Sequence, residues 1–431
     1  MNIDAVAKLR IISIMPHGPA YHFSPNEKPD IYWEKSDGSV VGFWTREWLD
    51  LLGEAILKET DRYAWEVWQP DYRAEQIYSK TLETGVVHRL FPAEEKFYRL
   101  GVISEKGIFS ETMILHLKKL QNEQVILMFY GTHGLRVPFY REILKIFGHS
   151  KKFPIFFRGG GQFKAPLSEI LGLHRPLTYL SILDEHFQIK KLVRYIDVVT
   201  EQTKSALREV RKVYNGHIEK LTMGCDFDFW IPVTSVELKK SIQNKLNIPE
   251  GKTVFFASGN FVPLKQLDKL LEVFKGLQDR DDFFLIIAGH GDETFTNQLI
   301  SLAEPLARQR KAILHPYVTG EKLRNIYWAS DLYVSVSTNE GGPVSVMKAM
   351  ACGLPILSTP VGETTETMKK HGTGKFVPIK NYAEWAKAIL EILDGKTPDI
   401  LNIAIARDAY DWTNVARRFI NIYDELYKKY Y

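Results

Sequence analysis

Short, largely apolar runs rich in β-branched and aromatic residues punctuate the chain at 9–14, 125–130, 154–157, 195–199, 253–257, 283–288, 332–336 and 355–358. They do not alternate with polar residues, so both faces of each strand are expected to be covered, as in parallel sheets. Helical spacing fills the intervals. Trp48, Leu51, Leu52, Ala55 and Ile56 fall at i, i+3, i+4, i+7 and i+8, and Leu267, Leu270, Leu271 and Phe274 repeat the spacing. Strand and helix patterns in alternation predict a doubly wound α/β architecture. A largely polar stretch bounded by Pro232 and Pro249 precedes a fresh strand–helix series at Thr253, which predicts a linker over 232–250 between two similar α/β domains facing one another.

Composition leaves ample material for one or more real cores: the 431 residues are 45% apolar and 25% charged. The formal net charge of +4 is too small to argue for nucleic acid. Charge is nevertheless uneven. Residues 1–100 carry 12 basic and 16 acidic side chains, residues 101–220 carry 19 and 11, and residues 221–431 carry 25 of each. The excess in 101–220 includes Arg136, Arg141, Lys145, Lys151, Lys152, Arg158, Lys164 and Arg175 among aromatic residues. Such a surface suits an anionic acceptor or the headgroups of a membrane leaflet, and equally an ordinary solvated face. Two cysteines, Cys225 and Cys352, belong to no zinc or redox motif, and a reducing, cytoplasmic setting is expected. No secretory leader pattern opens the sequence, and no apolar run approaches the ~20 residues needed to span a bilayer, so any membrane contact is expected to be peripheral.

The segment 331–366, DLYVSVSTNEGGPVSVMKAMACGLPILSTPVGETTE, carries the most chemistry. A strand ends in a polar loop, Glu340-Gly341-Gly342-Pro343 follows, and a helix predicted from Val344 stops at Gly353 before Pro355. A strand, a glycine turn and a helix N-terminus together offer free N–H groups and a partial positive charge to a phosphate or a sugar hydroxyl. Glu340 beside two glycines reads as a ligand-facing carboxylate, or as a cap for the helix dipole.

These residues resemble the donor-site motif of glycosyltransferase family 4, the retaining glycosyltransferases of GT-B fold. Glu340, the Gly341-Gly342-Pro343 turn and Ala349-Met350-Ala351-Cys352-Gly353 match it. Further matches come in order: Ser258-Gly259-Asn260 through Lys265, Ala288-Gly289-His290-Gly291, Met223-Gly224-Cys225-Asp226 with Trp230 and Pro232, and Gly362 with Glu366. The resemblance implies an acceptor-binding Rossmann-like domain over 1–232, a nucleotide-sugar-binding domain over 250–408, and a C-terminal helix over 409–431 returning to the first. It implies transfer of a sugar from a nucleotide-sugar to a hydroxyl acceptor (glycan, lipid-linked or other) with retained anomeric configuration, no cofactor and no metal. On that reading Glu340 orients the donor sugar. Lys265, Asn260, Gly259, Gly289, Gly341, Gly342, Pro343, Val344 and Ser345 hold the donor, as does Gly18 in the loop after the first strand, with Gly42 an alternative.

Three positions depart from the motif. Lys348 stands where a second Glu would grip the nucleotide ribose, and an ammonium only donates. One reading has Lys348 compensate by reaching the diphosphate. Asn260 replaces a phosphate-binding Arg. Gly160 occupies the place of a donor-contacting His, which leaves His133, in Gly131-Thr132-His133-Gly134, as the catalytic candidate, against an ordinary structural role. Arg158 with the following glycines is expected to bind an anionic acceptor or the donor phosphate. Two rival readings remain: a nucleotide-sugar epimerase, and a catalytically silent partner or sugar-nucleotide sensor.

Overall fold

The computed structural model describes residues 8–15, 31–43, 48–100, 103–130, 137–148, 153–161, 163–166, 176–316 and 318–431. The chain divides into two compact units: residues 1–222 with 412–431, and residues 223–411.

The first unit contains strands β1 (Leu9–Ile14), β2 (Ile31–Glu34), β3 (Val40–Phe43), β4 (Tyr63–Asp71), β5 (Tyr78–Thr81), β6 (Val87–Pro92), β7 (Glu94–Leu100), β8 (Ile103–Phe109), β9 (Val125–Tyr130), β10 (Ile155–Arg158), β11 (Val198–Glu201) and β12 (His217–Lys220). Eight of them form one sheet in the order β12-β11-β10-β9-β1-β4-β6-β5, parallel except for the β5–β6 pair. β2–β3 and β7–β8 are separate antiparallel hairpins. The strand period of two sorts the core into two layers. Ile12, Ile14, Leu127, Phe129, Ile155 and Phe157 pack on one face, while Leu9, Ile11, Ile126, Met128 and Phe156 pack on the other. On that second face lie the helix Trp48–Glu59 and the C-terminal helix Trp412–Tyr430, which inserts Phe419 and Tyr423.

The second unit is a six-stranded, all-parallel sheet of β13 (Thr253–Ser258), β14 (Phe283–Gly289), β15 (Ala312–Pro316), β16 (Leu332–Ser335), β17 (Ile356–Ser358) and β18 (Lys375–Phe376), in the order β15-β14-β13-β16-β17-β18. Strand order reverses between β13 and β16. In a doubly wound sheet that reversal opens a crevice at the carboxyl ends of the two strands, because the connections on either side run to opposite faces.

The fold corrects the sequence reading in three places. The division between the units falls at 222/223, and the stretch read as a linker over 232–250 belongs to the second unit. There the helix Val236–Lys245, capped by Ser235 Oγ on Leu238 N–H at 3.1 Å, is tied down by Gln243 to the Ala329 carbonyl at 2.8 Å. Its polarity reflects an exposed face rather than a free tether. Gly42 lies inside β3, paired with Tyr32, and not in a loop. β4, an interior strand of the sheet, has no continuous apolar run in the sequence because Glu66 and Gln69 interrupt it. Glu66 is buried all the same, since Arg10 Nε (2.9 Å), Arg89 Nε (2.9 Å) and Trp68 Nε1 (2.7 Å) donate to its carboxylate.

Candidate functional site

The crevice of the second unit is built by the segments that follow β13 and β16. Tyr333 on β16 donates its hydroxyl to the Ser258 carbonyl at 3.2 Å, joining the two strand ends, and Tyr327 donates to the Ser345 carbonyl at 2.9 Å. Both hydroxyls are buried, which pushes their pKa up and keeps them protonated as donors. Beyond β13 the chain passes through Gly259, at φ +152°, and into a short 3-10 turn, Pro263–Lys265. Thr338 N–H donates to the Leu264 carbonyl at 2.9 Å, so the two loops are fastened by their backbones.

That fastening brings Lys265 and Glu340 together. The Lys265 ammonium donates to Glu340 Oε1 at 2.5 Å, and Ser337 Oγ donates to the same oxygen at 2.7 Å. Side-chain exposures of 19% for Lys265 and 10% for Glu340 leave the pair at the wall of the crevice rather than in the core. Ser337 was not anticipated. Its signal was the polar run Ser337-Thr338-Asn339 directly after an apolar strand, where solvated loop and built site look alike.

The helix Val344–Ala351 opens beside this pair with Pro343 at its N-cap and no side-chain cap bond. Val346 and Met347 N–H return to the Pro343 carbonyl, whereas the helices beginning after Thr203, Ser235, Asp292 and Asn381 are capped by those side chains. The first-turn amides of Val344 and Ser345 therefore face the crevice end of the helix with its partial positive charge. Behind the turn, Gly341 accepts from Glu363 N–H at 2.8 Å, and Gly362 adopts φ +82°. A Cβ on Gly362 would come within 3.0 Å of Pro343 Cδ and 3.1 Å of Glu340 Cβ, so this glycine lets its loop pack against the turn that carries Glu340.

Other expected site residues land elsewhere or play another part. Gly289 is needed for packing: a Cβ there would stand 1.9 Å from the Gly259 carbonyl oxygen, and one on Gly291 2.2 Å from that of Phe261. Asn260 is exposed at the tip of the loop. Lys348 does not follow the expectation that it turns to a diphosphate. Its ammonium lies 4.6 Å from the centre of the Trp230 ring, in a setting that lowers its pKa by desolvation. Arg158 is no surface anion receptor: it is 1% exposed, donates to the carbonyls of Leu221 (2.7 Å) and Thr222 (2.8 Å), and lies over Phe419. Gly160 is buried in the same loop, where a Cβ on Gly159 would fall 1.8 Å from Glu201 Oε1. His133 and Gly18 lie outside the described residues. Among the described residues no group of three or more His, Cys, Asp or Glu side chains is placed to hold a metal ion, and no helix is long and apolar enough to cross a membrane.

The chain is similar to known proteins. Residues 239–410, nearly all of the second unit, match the family model described as glycosyl transferases group 1. An uncharacterized glycosyltransferase of Methanocaldococcus jannaschii is 25% identical over 232 residues, 51% of this chain and 58% of that protein. A D-inositol 3-phosphate glycosyltransferase of Xylanimonas cellulosilytica is 22% identical over 248 residues, 56% of this chain and 60% of that protein. The chain thus spans about three fifths of the length of these relatives. Over nearly the whole chain the fold is similar to that of the sucrose-phosphate synthase of Thermosynechococcus elongatus, with a TM-score of 0.67 at 16% identity, covering 98% of this chain and 100% of that one. It is similar as well to Anabaena HepE in complex with UDP, with a TM-score of 0.64 at 13% identity over 97% and 100%. The fold is that of these GT-B neighbours.

Proposed function

We propose that the protein is a glycosyltransferase that binds a nucleotide-sugar in the crevice of its second unit and passes the sugar, with retained configuration, to a hydroxyl acceptor held by the first. The observation that carries this reading is the Lys265–Glu340 pair at the β13–β16 reversal, beneath an uncapped helix N-terminus. Solved complexes of the similar Anabaena HepE with UDP and with UDP-glucose support a nucleotide-sugar as the donor class.

The parts have distinct roles. When a donor enters, its diphosphate competes for the Lys265 ammonium, which then takes up the charge developing on the leaving group together with the Val344 and Ser345 amides. Glu340, released from Lys265 and still held by Ser337, accepts from the sugar hydroxyls. As the bond from the anomeric carbon to the diphosphate breaks, the acceptor oxygen bonds to that carbon on the same face. Its proton passes to the departing phosphate oxygen, so this step requires no protein base. The working site is cytoplasmic, and the acceptor is a hydroxyl of a glycan, of a lipid-linked sugar or of another molecule.

A panel of UDP, GDP, ADP and dTDP tests the reading through the unfolding midpoint of the full chain. One nucleotide near 100 times its Kd is expected to add about 2.7 kcal/mol. Lys265→Ala should weaken that binding roughly tenfold to a hundredfold, the loss of a charge-assisted hydrogen bond of about 1.5–3 kcal/mol. Glu340→Ala should keep the nucleotide shift but abolish sugar transfer; wild-type turnover in that variant removes Glu340 from the mechanism. The place of Lys348 on Trp230, away from any ribose-accepting role, favours a second reading as a silent nucleotide binder, and absence of turnover with every matching sugar donor would select it.

A further inference from the structure

The first unit carries a cavity of about 640 Å³ that the proposed reaction does not use. It lies at the amino ends of β10, β11 and β12, where Phe153, Asp197 and His217 line it, the edge opposite to that at which doubly wound sheets place their substrates. Its volume falls in the range of small-molecule sites.

Its chemistry is uneven in a telling way. Asp197, the one carboxylate of the lining, is fully engaged: Oδ1 accepts from Lys429 Nζ (2.9 Å) and Tyr430 OH (2.6 Å), and Oδ2 from Ile155 N–H (2.9 Å). Lys190 and Arg194, one helical turn apart and both exposed, have no carboxylate partner among the described residues. Arg194 spends one donor on Tyr195 OH at 2.7 Å. Helices end here too, and their carbonyls favour cations, but the last turns are closed by backbone donors such as Tyr195 N–H to Leu192 and Tyr214 N–H to Val210. Tyr214 also turns its hydroxyl to the Asp197 carbonyl at 2.9 Å, holding its ring in the wall. The lining therefore combines two cations lacking carboxylate partners with rigid aromatic surface.

We propose that this cavity binds a phosphate monoester on a sugar-sized body, with Lys190 and Arg194 on the phosphate and the tyrosine walls against the ring, separately from the donor crevice. Arg194 offers a planar fork to phosphate oxygens, and the aromatic faces suit the apolar face of a pyranose.

Calorimetric titration of the full chain with glucose 6-phosphate, inorganic phosphate and glucose tests this. Glucose 6-phosphate is expected to bind saturably, inorganic phosphate to bind more weakly and compete with it, and glucose alone to give no signal. The double variant Lys190→Ala/Arg194→Ala, at two exposed positions that leave the core intact, should weaken glucose 6-phosphate at least about tenfold while leaving nucleotide binding unchanged. Lys265→Ala should leave glucose 6-phosphate unchanged. No saturation up to ~10 mM, affinity unaltered in the double variant, or affinity lost in Lys265→Ala would each overturn the proposal, the last by assigning the ligand to the crevice.

Discussion

Glu201 shows how a single residue ties fold to pH. It ends β11, is 1% exposed, and accepts from Gly161 N–H at 2.7 Å, yet burial pushes its pKa up to about 7. A carboxyl whose folded pKa lies above its unfolded value binds its proton more tightly in the native state. Its ionisation then destabilises the fold above pH 7, and that penalty is relieved as pH falls from about 7 toward the unfolded value. Glu201→Gln keeps an acceptor for Gly161 and cannot ionise, so the difference in stability between wild type and variant should grow between pH 5 and pH 8, by at most a few kcal/mol. Urea midpoints across that range check it; parallel curves would show that Glu201 stays charged. Gly289 makes the companion case for sterics. A Cβ 1.9 Å from the Gly259 oxygen forces the two loops apart, so Gly289→Ala should cost about 2 kcal/mol or more and weaken nucleotide binding by displacing the loop that leads to Lys265. At this scale the sequence was legible where one residue type had few reasons to be present, as with Glu340 and Lys265. It misled where the partner was distant in the chain: nothing near Arg158 announces that the Leu221 and Thr222 carbonyls wait for it some sixty residues on.

Elements were legible in proportion to how little they owed to buried polar pairing. β9 and β14 are apolar throughout and β13 is apolar between Thr253 and Ser258, and the expected runs fall on them almost residue for residue. β4 depends on the Arg10–Glu66–Arg89 network, which no local pattern reveals, and β12 is a polar edge strand. The expected strand over 195–199 begins only at Val198, because Tyr195 and Ile196 close the preceding helix instead. The C-terminal helix tests the energetics of an element that joins the first unit from the far end of the chain. Phe419 is 1% exposed, with its ring 5.8 Å from that of Phe156 and the Arg158 guanidinium 5.1 Å away. Phe419→Ala should destabilise the first unit by about 3–5 kcal/mol, since it removes a core ring and uncovers a buried cation. The check is the denaturant midpoint of that unit's transition, followed by the fluorescence of Trp65 and Trp68; Leu at the same position should recover most of the loss.

At the scale of the whole molecule, the two proposed ligand sites, one in each unit, make separable demands on backbone dynamics. Amide exchange slows where a ligand adds hydrogen bonds or removes local opening, and each site here is built from segments of a single unit. The matching nucleotide should slow exchange in 258–266 and 337–347, where the Lys265–Glu340 pair and the uncapped amides sit, and leave 190–197 and 213–217 at their unliganded rates. Glucose 6-phosphate should do the reverse. Lys265→Ala should erase the first pattern and spare the second, and Lys190→Ala/Arg194→Ala the opposite. Each variant is thus the control for the other, because a merely unfolded or loosened protein loses both patterns together. If the nucleotide instead protected 190–197, the cavity would be coupled to the crevice rather than independent of it. The phosphate monoester would then act as an effector of the same binding equilibrium, with equal and reciprocal shifts in the two affinities.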